Sequence, residues 1–110
     1  MRRELLIVGA GTAGVSAALW ARSLHLDVEM IEAGSEPGGQ LLQVYFHPRE
    51  IPGLLTGDGR AIASAYAQQL AESGIPVRYG ARARSLELGE RPGLVLADGT
   101  RADARAVLIA

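Results

Sequence analysis

The chain lacks cysteine, lysine and asparagine altogether. Without cysteine, these residues hold no disulfide, no thiolate metal site and no cysteine redox centre. All 11 basic residues are arginine and the formal net charge is -1, so composition indicates neither a nucleic-acid nor a membrane partner. No signal peptide or membrane span is visible, because the apolar stretch near the start is short and interrupted by glycines. We expect a small cytoplasmic α/β domain with no bound metal.

Fourteen glycines are present, and the most informative lie in the hexapeptide GAGTAG at residues 9–14. It follows an apolar run at 5–8 and leads into a stretch rich in alanine, which is the order strand, turn, helix. In a dinucleotide-binding βαβ unit the first glycine permits the tight turn, the second lets a pyrophosphate approach the backbone, and the third lets the helix pack on the strand. The helix N-terminus then offers free N–H groups to phosphate oxygens.

A second apolar strand, at 28–31, is followed by Glu32, where the dinucleotide fingerprint has an acidic residue. A carboxylate there can accept hydrogen bonds from both hydroxyls of an adenosine ribose, and it would repel a 2′-phosphate. The pattern therefore favours FAD or NAD over NADP in this half. The alternative is an ordinary glycine turn beside a solvated acid at a strand end.

Periodicity predicts strand 4–8, helix 13–24, strand 28–32, helix 58–73 and strand 75–79. The connection at 33–57 is long, and ordered loops of that length are usually functional. Three antiparallel strands, at 81–88, 94–97 and 100–104, then form a meander, with a hairpin turn at Asp98-Gly99. A separate buried strand is predicted at 107–110. We therefore expect a Rossmann-like parallel sheet joined to a β-meander, and a chain that ends inside its domain.

This sequence of parts, with GGQL at 38–41, Pro52-Gly53 and a final VLIA, resembles the two-dinucleotide-binding-domain flavoproteins. The branches it is most similar to are the thioredoxin-reductase-like ferredoxin (flavodoxin) NADP reductases and the low-molecular-weight thioredoxin reductases. The resemblance covers nearly the whole chain but about a third of the family's length. It implies that residues 1–110 are the N-terminal segment of an FAD-binding domain, without the NAD(P)H-binding domain and the return segment.

The resemblance also implies the cofactor contacts. The pyrophosphate would lie on the glycine turn, the ribose on Glu32, the flavin beside GGQL, and the adenine edge near Ala83. Thr12 departs from the family, which usually has proline there. The implied FAD-binding positions are Gly9, Gly11, Thr12, Ala13, Gly14, Glu32, Ala33, Gly39, Gln40, Leu41, Tyr45, Glu50 and Ala83.

Two of these residues bear on the branch. Tyr45 matches a tyrosine that stacks on the flavin in the ferredoxin-reductase-like group, and Glu50 begins an acid-I-P-G stretch similar to that group's pattern. An aromatic face is also a natural platform for a flavin ring. Tyr45 could instead simply cap the core under the loop. The absence of cysteine after GG excludes the glutathione-reductase-like branch.

The function implied is transfer of electrons from NAD(P)H through FAD to a redox acceptor, which the resemblance makes a ferredoxin, flavodoxin or thioredoxin-like protein. The longer protein would be a homodimer, and the chain alone would be inactive. No catalytic side chain is assigned, because FAD carries the chemistry. Two alternatives stay open. One is a non-catalytic module that binds or senses FAD, NAD or ADP, and the other is the first half of an NAD-binding domain, which the meander disfavours.

Overall fold

The chain is built on one six-stranded sheet, seen in a computed structural model that describes residues 2–44, 47–49, 51 and 57–110. The strands lie in the order β3-β2-β1-β6-β5-β4. In chain order the elements are β1 Arg3–Val8, α1 Thr12–Ser23, β2 Val28–Ile31, a 3-10 helix Gly39–Leu42, α2 Gly59–Glu72, β3 Val77–Arg78, β4 Ala83–Glu87, β5 Gly93–Leu96 and β6 Arg101–Ile109. The predicted fold class, a Rossmann-like parallel sheet with antiparallel strands, is confirmed.

The parallel half of the sheet is the predicted βαβ unit. β1 pairs in parallel with β2, so that Ile7 lies beside Met30 and Val8 beside Ile31. Side chains alternate between the two faces of β1, and those of one face pack under α1 and α2. This helix-side core contains Ile7, Ala10, Val15, Ala18, Ala21, Val28, Met30, Ile62, Tyr66, Leu70 and Ile75.

The strand β6 corrects two predictions. The sequence predicted separate strands at 100–104 and 107–110, but one strand of nine residues runs from Arg101 to Ile109. Its first part pairs antiparallel with β5 and its later part pairs in parallel with β1. Arg105 lies between the two predicted strands. A continuous strand tolerates it because Arg105 is exposed.

The second correction concerns the end of β6, which was predicted to be buried. Leu108 is 40% exposed and Ile109 is 67% exposed. The helix-side core contains residues of β1 and β2 but none of β6. The opposite face has its own core, which joins Leu6 and Ile31 of the parallel half to Leu94, Leu96, Ala102 and Ala104 of the meander.

The helix boundaries agree with the predictions to within a residue. Asp58 caps α2, since its carboxylate accepts a hydrogen bond from the Ala61 N–H at 2.8 Å. The predicted strand 75–79 is shorter, with only Val77 and Arg78 in the ladder. The 3-10 helix lies within a segment predicted to be irregular. No helix in the described ranges is long and apolar enough to span a membrane.

A buried carboxylate links β1, β2 and β3. Glu29 of β2 is 9% exposed. Its Oε1 lies 3.2 Å from Arg78 Nη2 of β3 and 3.7 Å from Arg3 Nε of β1. Arg3 also donates to Asp27 at 2.8 Å. A charge on the middle strand is tolerated because arginines from both neighbouring strands compensate it.

We predict that Glu29→Ala lowers the free energy of unfolding by about 1–3 kcal/mol, because it leaves two arginines without their shared partner. The expected loss of stability is smaller than that for breaking a fully buried ion pair, since both arginines keep partial contact with water. Urea unfolding followed by circular dichroism measures the change. The control is Glu36→Ala, which breaks an exposed pair with Arg60 and should cost no more than about 0.5 kcal/mol. Equal losses in both variants would contradict the prediction.

Candidate functional site

The glycine turn between β1 and α1 is shaped by close backbone contacts. Gly9 has φ +102°, a conformation that L side chains rarely adopt, and its N–H donates to the Ile31 carbonyl at 2.9 Å. A Cβ added to Gly14 would lie 1.9 Å from the Gly9 carbonyl oxygen. The third glycine of the motif therefore permits α1 to start directly on the strand end, as the sequence predicted.

A second glycine pair docks on this turn. The Gly38 N–H donates to the Ala10 carbonyl at 2.8 Å. A Cβ on Gly39 would lie 3.1 Å from the Gly11 Cα. The two backbones thus meet without a side chain between them, and the 3-10 helix Gly39–Leu42 begins at this contact.

Glu32 forms hydrogen bonds to the glycine turn and to the start of the loop that follows β2. Its Oε1 accepts a hydrogen bond from the Ala10 N–H at 2.8 Å, and its Oε2 accepts one from the Gly34 N–H at 2.6 Å. A carboxylate offers about four acceptor positions, so both oxygens can accept further hydrogen bonds. The acid at the end of β2 is therefore held against the glycine turn and can still bind hydroxyl groups.

The N-terminus of α1 is prepared for an anion. Gly11 is the N-cap residue, no side chain caps the helix, and its first turn contains no acid. The first N–H groups of a helix lack partners within the helix, and the helix dipole makes this end positive. α2 differs, because Asp58 occupies its cap.

These elements enclose a cavity of about 580 Å³. Nine of its lining residues are predicted site residues: Gly9, Gly11, Thr12, Ala13, Gly14, Glu32, Gly39, Gln40 and Leu41. The prediction missed six others: Ala10, Gly38, Val44, Pro48, Ile51 and Ala110. Ala10 and Gly38 lie within the two glycine motifs and could have been inferred from them. Val44, Pro48 and Ile51 come from the long loop, where no periodic pattern pointed to them.

Four predicted residues are not seen in the lining. Ala33 follows Glu32 but is exposed outside the cavity. Ala83 begins β4 and packs against the core of the opposite sheet face. Tyr45 and Glu50 lie outside the described residues. The roles assigned to all the site residues stay predictions.

The pKa of Tyr79, just after β3, is affected by its burial and by nearby carboxylates. Partial burial raises the pKa of its phenol above the usual value of 10.0, and the negative charges of Glu32 and Glu36 raise it further. In the described part of the chain, no group of three or more His, Cys, Asp or Glu residues could hold a metal ion.

Comparison with known proteins finds similar sequences. A family model described as an NAD(P)-binding Rossmann-like domain matches residues 7–52. A ferredoxin–NADP reductase from Ralstonia nicotianae is 32% identical over 115 aligned positions, which cover 98% of this chain and 32% of the reductase. The chain therefore spans about a third of the length of this relative.

Solved structures give the same fold. A thioredoxin reductase from Streptococcus pyogenes superposes with a TM-score of 0.87 at 29% identity, covering 98% of this chain and 34% of that one. One from Lactococcus lactis has a TM-score of 0.88 at 22% identity, covering 98% and 35%. These similarities confirm the resemblance to the two-dinucleotide-binding-domain flavoproteins.

We predict that two alanine substitutions in the glycine turn have different effects. Gly14→Ala should lower the free energy of unfolding by about 2 kcal/mol or more, because its Cβ meets backbone rather than a movable side chain. Gly11→Ala should cost no more than about 1 kcal/mol, since Gly11 has φ -78° and its Cβ would lie 4.0 Å from Gly39 Cα. Thermal and urea unfolding compare the two, and equal stability would contradict this account of the turn.

We also predict that Glu32→Gln lowers the pKa of Tyr79, which stays above its ordinary value because burial remains. A raised phenol pKa stabilises the fold below the unfolded value of about 10, and this contribution is lost as the pH rises through the folded pKa. Ultraviolet titration of tyrosinate measures it, and Tyr79→Phe assigns the transition. Glu72→Gln, on α2, is the control. A pKa unmoved by Glu32→Gln would show that the two side chains do not interact.

Proposed function

We propose that this relative of the ferredoxin–NADP reductases binds FAD in the cavity between its two glycine turns. The observation that carries the proposal is the contact of Gly38 and Gly39 with the turn at 9–14, beside a cavity that both glycine segments line. A cofactor with a charged middle and large rings at both ends requires such a close approach of backbone to ligand.

The residues present fit FAD. Its pyrophosphate would lie at the uncapped N-terminus of α1, where Thr12, Ala13 and Gly14 offer N–H groups. Its ribose hydroxyls would donate to the free acceptor positions of Glu32. The fixed position of that carboxylate, set by the Ala10 and Gly34 N–H groups, supports this assignment.

The flavin end would lie toward the 3-10 helix. Gln40 and Leu41 line the cavity there, with Val44, Pro48 and Ile51 adding apolar surface. The amide of Gln40 can donate to or accept from the polar edge of a flavin. We propose, as the resemblance implies, that Tyr45 stacks on the ring, that Glu50 also contacts the cofactor, and that the backbone around Ala83 meets the adenine edge at the other end.

When bound, FAD would supply the two-electron redox chemistry, and this chain's residues would bind, orient and electrostatically tune it. We propose that the chain is the FAD-binding part of an NAD(P)H-dependent oxidoreductase. A ferredoxin- or flavodoxin-type acceptor is favoured, with a thioredoxin-type acceptor next. The similarity to a ferredoxin–NADP reductase and to a thioredoxin reductase supports these two acceptor types. Homodimeric assembly and a cytoplasmic location are part of the proposal and rest on the resemblance and composition.

A second candidate is a domain that binds NAD or ADP without catalysis. The description of the matching family model, an NAD(P)-binding Rossmann-like domain, favours it. FAD, NAD and ADP all contain an adenosine and a diphosphate. The glycine turn at 9–14 and Glu32 could therefore bind any of them. The ligand itself must therefore be tested.

We predict that the chain binds FAD more tightly than NAD⁺, and that Glu32→Arg weakens FAD binding by at least about tenfold, because two hydroxyl acceptors are lost. Titration of the purified chain, followed by the visible flavin spectrum and by calorimetry, measures both affinities. Glu36→Arg makes the same charge reversal in a residue that does not line the cavity, and it should leave FAD binding within about twofold of the original. Circular dichroism verifies that each variant is folded.

Two outcomes would contradict the proposal. A folded chain that binds NAD⁺ or ADP but not FAD would favour the second candidate. Equal FAD affinity in the original chain and in Glu32→Arg would show that the ribose does not bind to Glu32.

A further inference from the structure

Thr12 adds a hydroxyl where the resemblance expects proline. Proline has neither an N–H group nor a side-chain donor, whereas threonine has both. Thr12 is the first residue of α1, is exposed, and lines the cavity. The chain therefore has a polar hydrogen at the phosphate end of the proposed site that proline would not provide.

The Thr12 hydroxyl has a buried partner. Its Oγ1 lies 3.0 Å from the hydroxyl oxygen of Tyr66, which belongs to α2 and is 8% exposed. The contact links the start of α1 to the middle of α2, 54 residues apart in sequence. In the described part of the chain, Thr12 is the hydrogen-bond partner of the Tyr66 hydroxyl.

Each of the two hydroxyls carries one proton. Only one of these protons can lie in the hydrogen bond between them. If Thr12 donated, the proton of Tyr66 would remain in the core without a described acceptor, which is costly. If Tyr66 donates, its proton is satisfied, and Thr12, which lines the cavity, keeps its own proton for another acceptor. A phenol is also the more acidic hydroxyl and so the better donor. Both considerations favour donation from Tyr66 to Thr12.

We propose that Tyr66 and Thr12 form a hydroxyl relay that binds a phosphate oxygen of the dinucleotide. Tyr66 donates to Thr12 Oγ1, and Thr12 donates its own proton to the phosphate, beside the N–H groups of α1. The bond from Tyr66 polarises the Thr12 hydroxyl and strengthens it as a donor. Thr12 contacts the ligand, and Tyr66 is a positioning residue. The inference rests on the proposed function and adds a phosphate contact that the motif itself does not require.

The test compares ligands with and without phosphate. The full chain is titrated by calorimetry with FAD, ADP and adenosine. The hydroxyl is removed in Thr12→Val and retained in Thr12→Ser. We expect Thr12→Val to weaken ADP binding about tenfold, the range of a lost hydrogen bond to a charged group, and to leave adenosine binding within about twofold. Thr12→Ser should bind ADP within about threefold of the original chain.

Tyr66→Phe tests the relay. It should weaken ADP binding about threefold, but it should have no further effect when Thr12 is already valine, because the proton it orients is then absent. A purely structural role for Tyr66 would instead weaken ADP and adenosine equally. Melting temperatures of all variants are compared so that a loss of fold is recognised.

The outcomes separate the two proposals. If the original chain binds FAD and ADP but Thr12→Val binds ADP equally well, the relay is wrong and the proposed function stands. Additive effects of Thr12→Val and Tyr66→Phe would also overturn the relay. If the folded original chain binds neither FAD nor ADP, the proposed function itself fails, and the relay with it.

Discussion

The contact between Gly14 and Gly9 is the constraint on which the site depends. Any side chain at Gly14 would overlap the Gly9 carbonyl, so the contact sets how closely α1 lies on the end of β1. It directs the uncapped helix N-terminus to the carboxyl edge of the parallel strands. In open α/β sheets, ligands bind at this edge. The positions of Glu32 and Gly39 follow, because each is held against the same turn.

Much of this arrangement could be predicted from local sequence. The pattern of apolar residues located both helices and the parallel strands, because a period of 3.6 or 2 in buried positions directly reflects secondary structure. The roles of Gly9 and Gly14 followed from a short motif whose geometry is set by neighbouring residues. The resemblance to reductases was carried by the same short motifs, and the comparisons agree with it.

The features that the sequence missed depend on distant contacts. β6 is continuous because β1 and β5 pair with different parts of it, and no local pattern around Arg105 contains that information. The hydrogen bond from Gly38 to Ala10 joins two loops, and that between Thr12 and Tyr66 joins two helices. Val44, Pro48 and Ile51 line the same cavity as the turn at 9–14, although they lie 30 or more residues from it in sequence. Periodicity describes one element at a time and cannot predict such contacts.

The charge distribution in the cavity limits what can bind. The start of α1 is positive and attracts an anion, whereas the negative Glu32 carboxylate repels one. A free phosphate would bind only the N-terminus of α1, and a neutral sugar would bind only the Glu32 carboxylate. A ligand with a pyrophosphate next to an unphosphorylated ribose satisfies both, while a 2′-phosphate on that ribose would meet Glu32. This combination is a property of adenine dinucleotides in general, so in the proposed function the helix and the acid would select the adenosine diphosphate half. The choice between a flavin and a nicotinamide must then come from the other end of the cavity, at Gln40, Leu41 and the loop that follows.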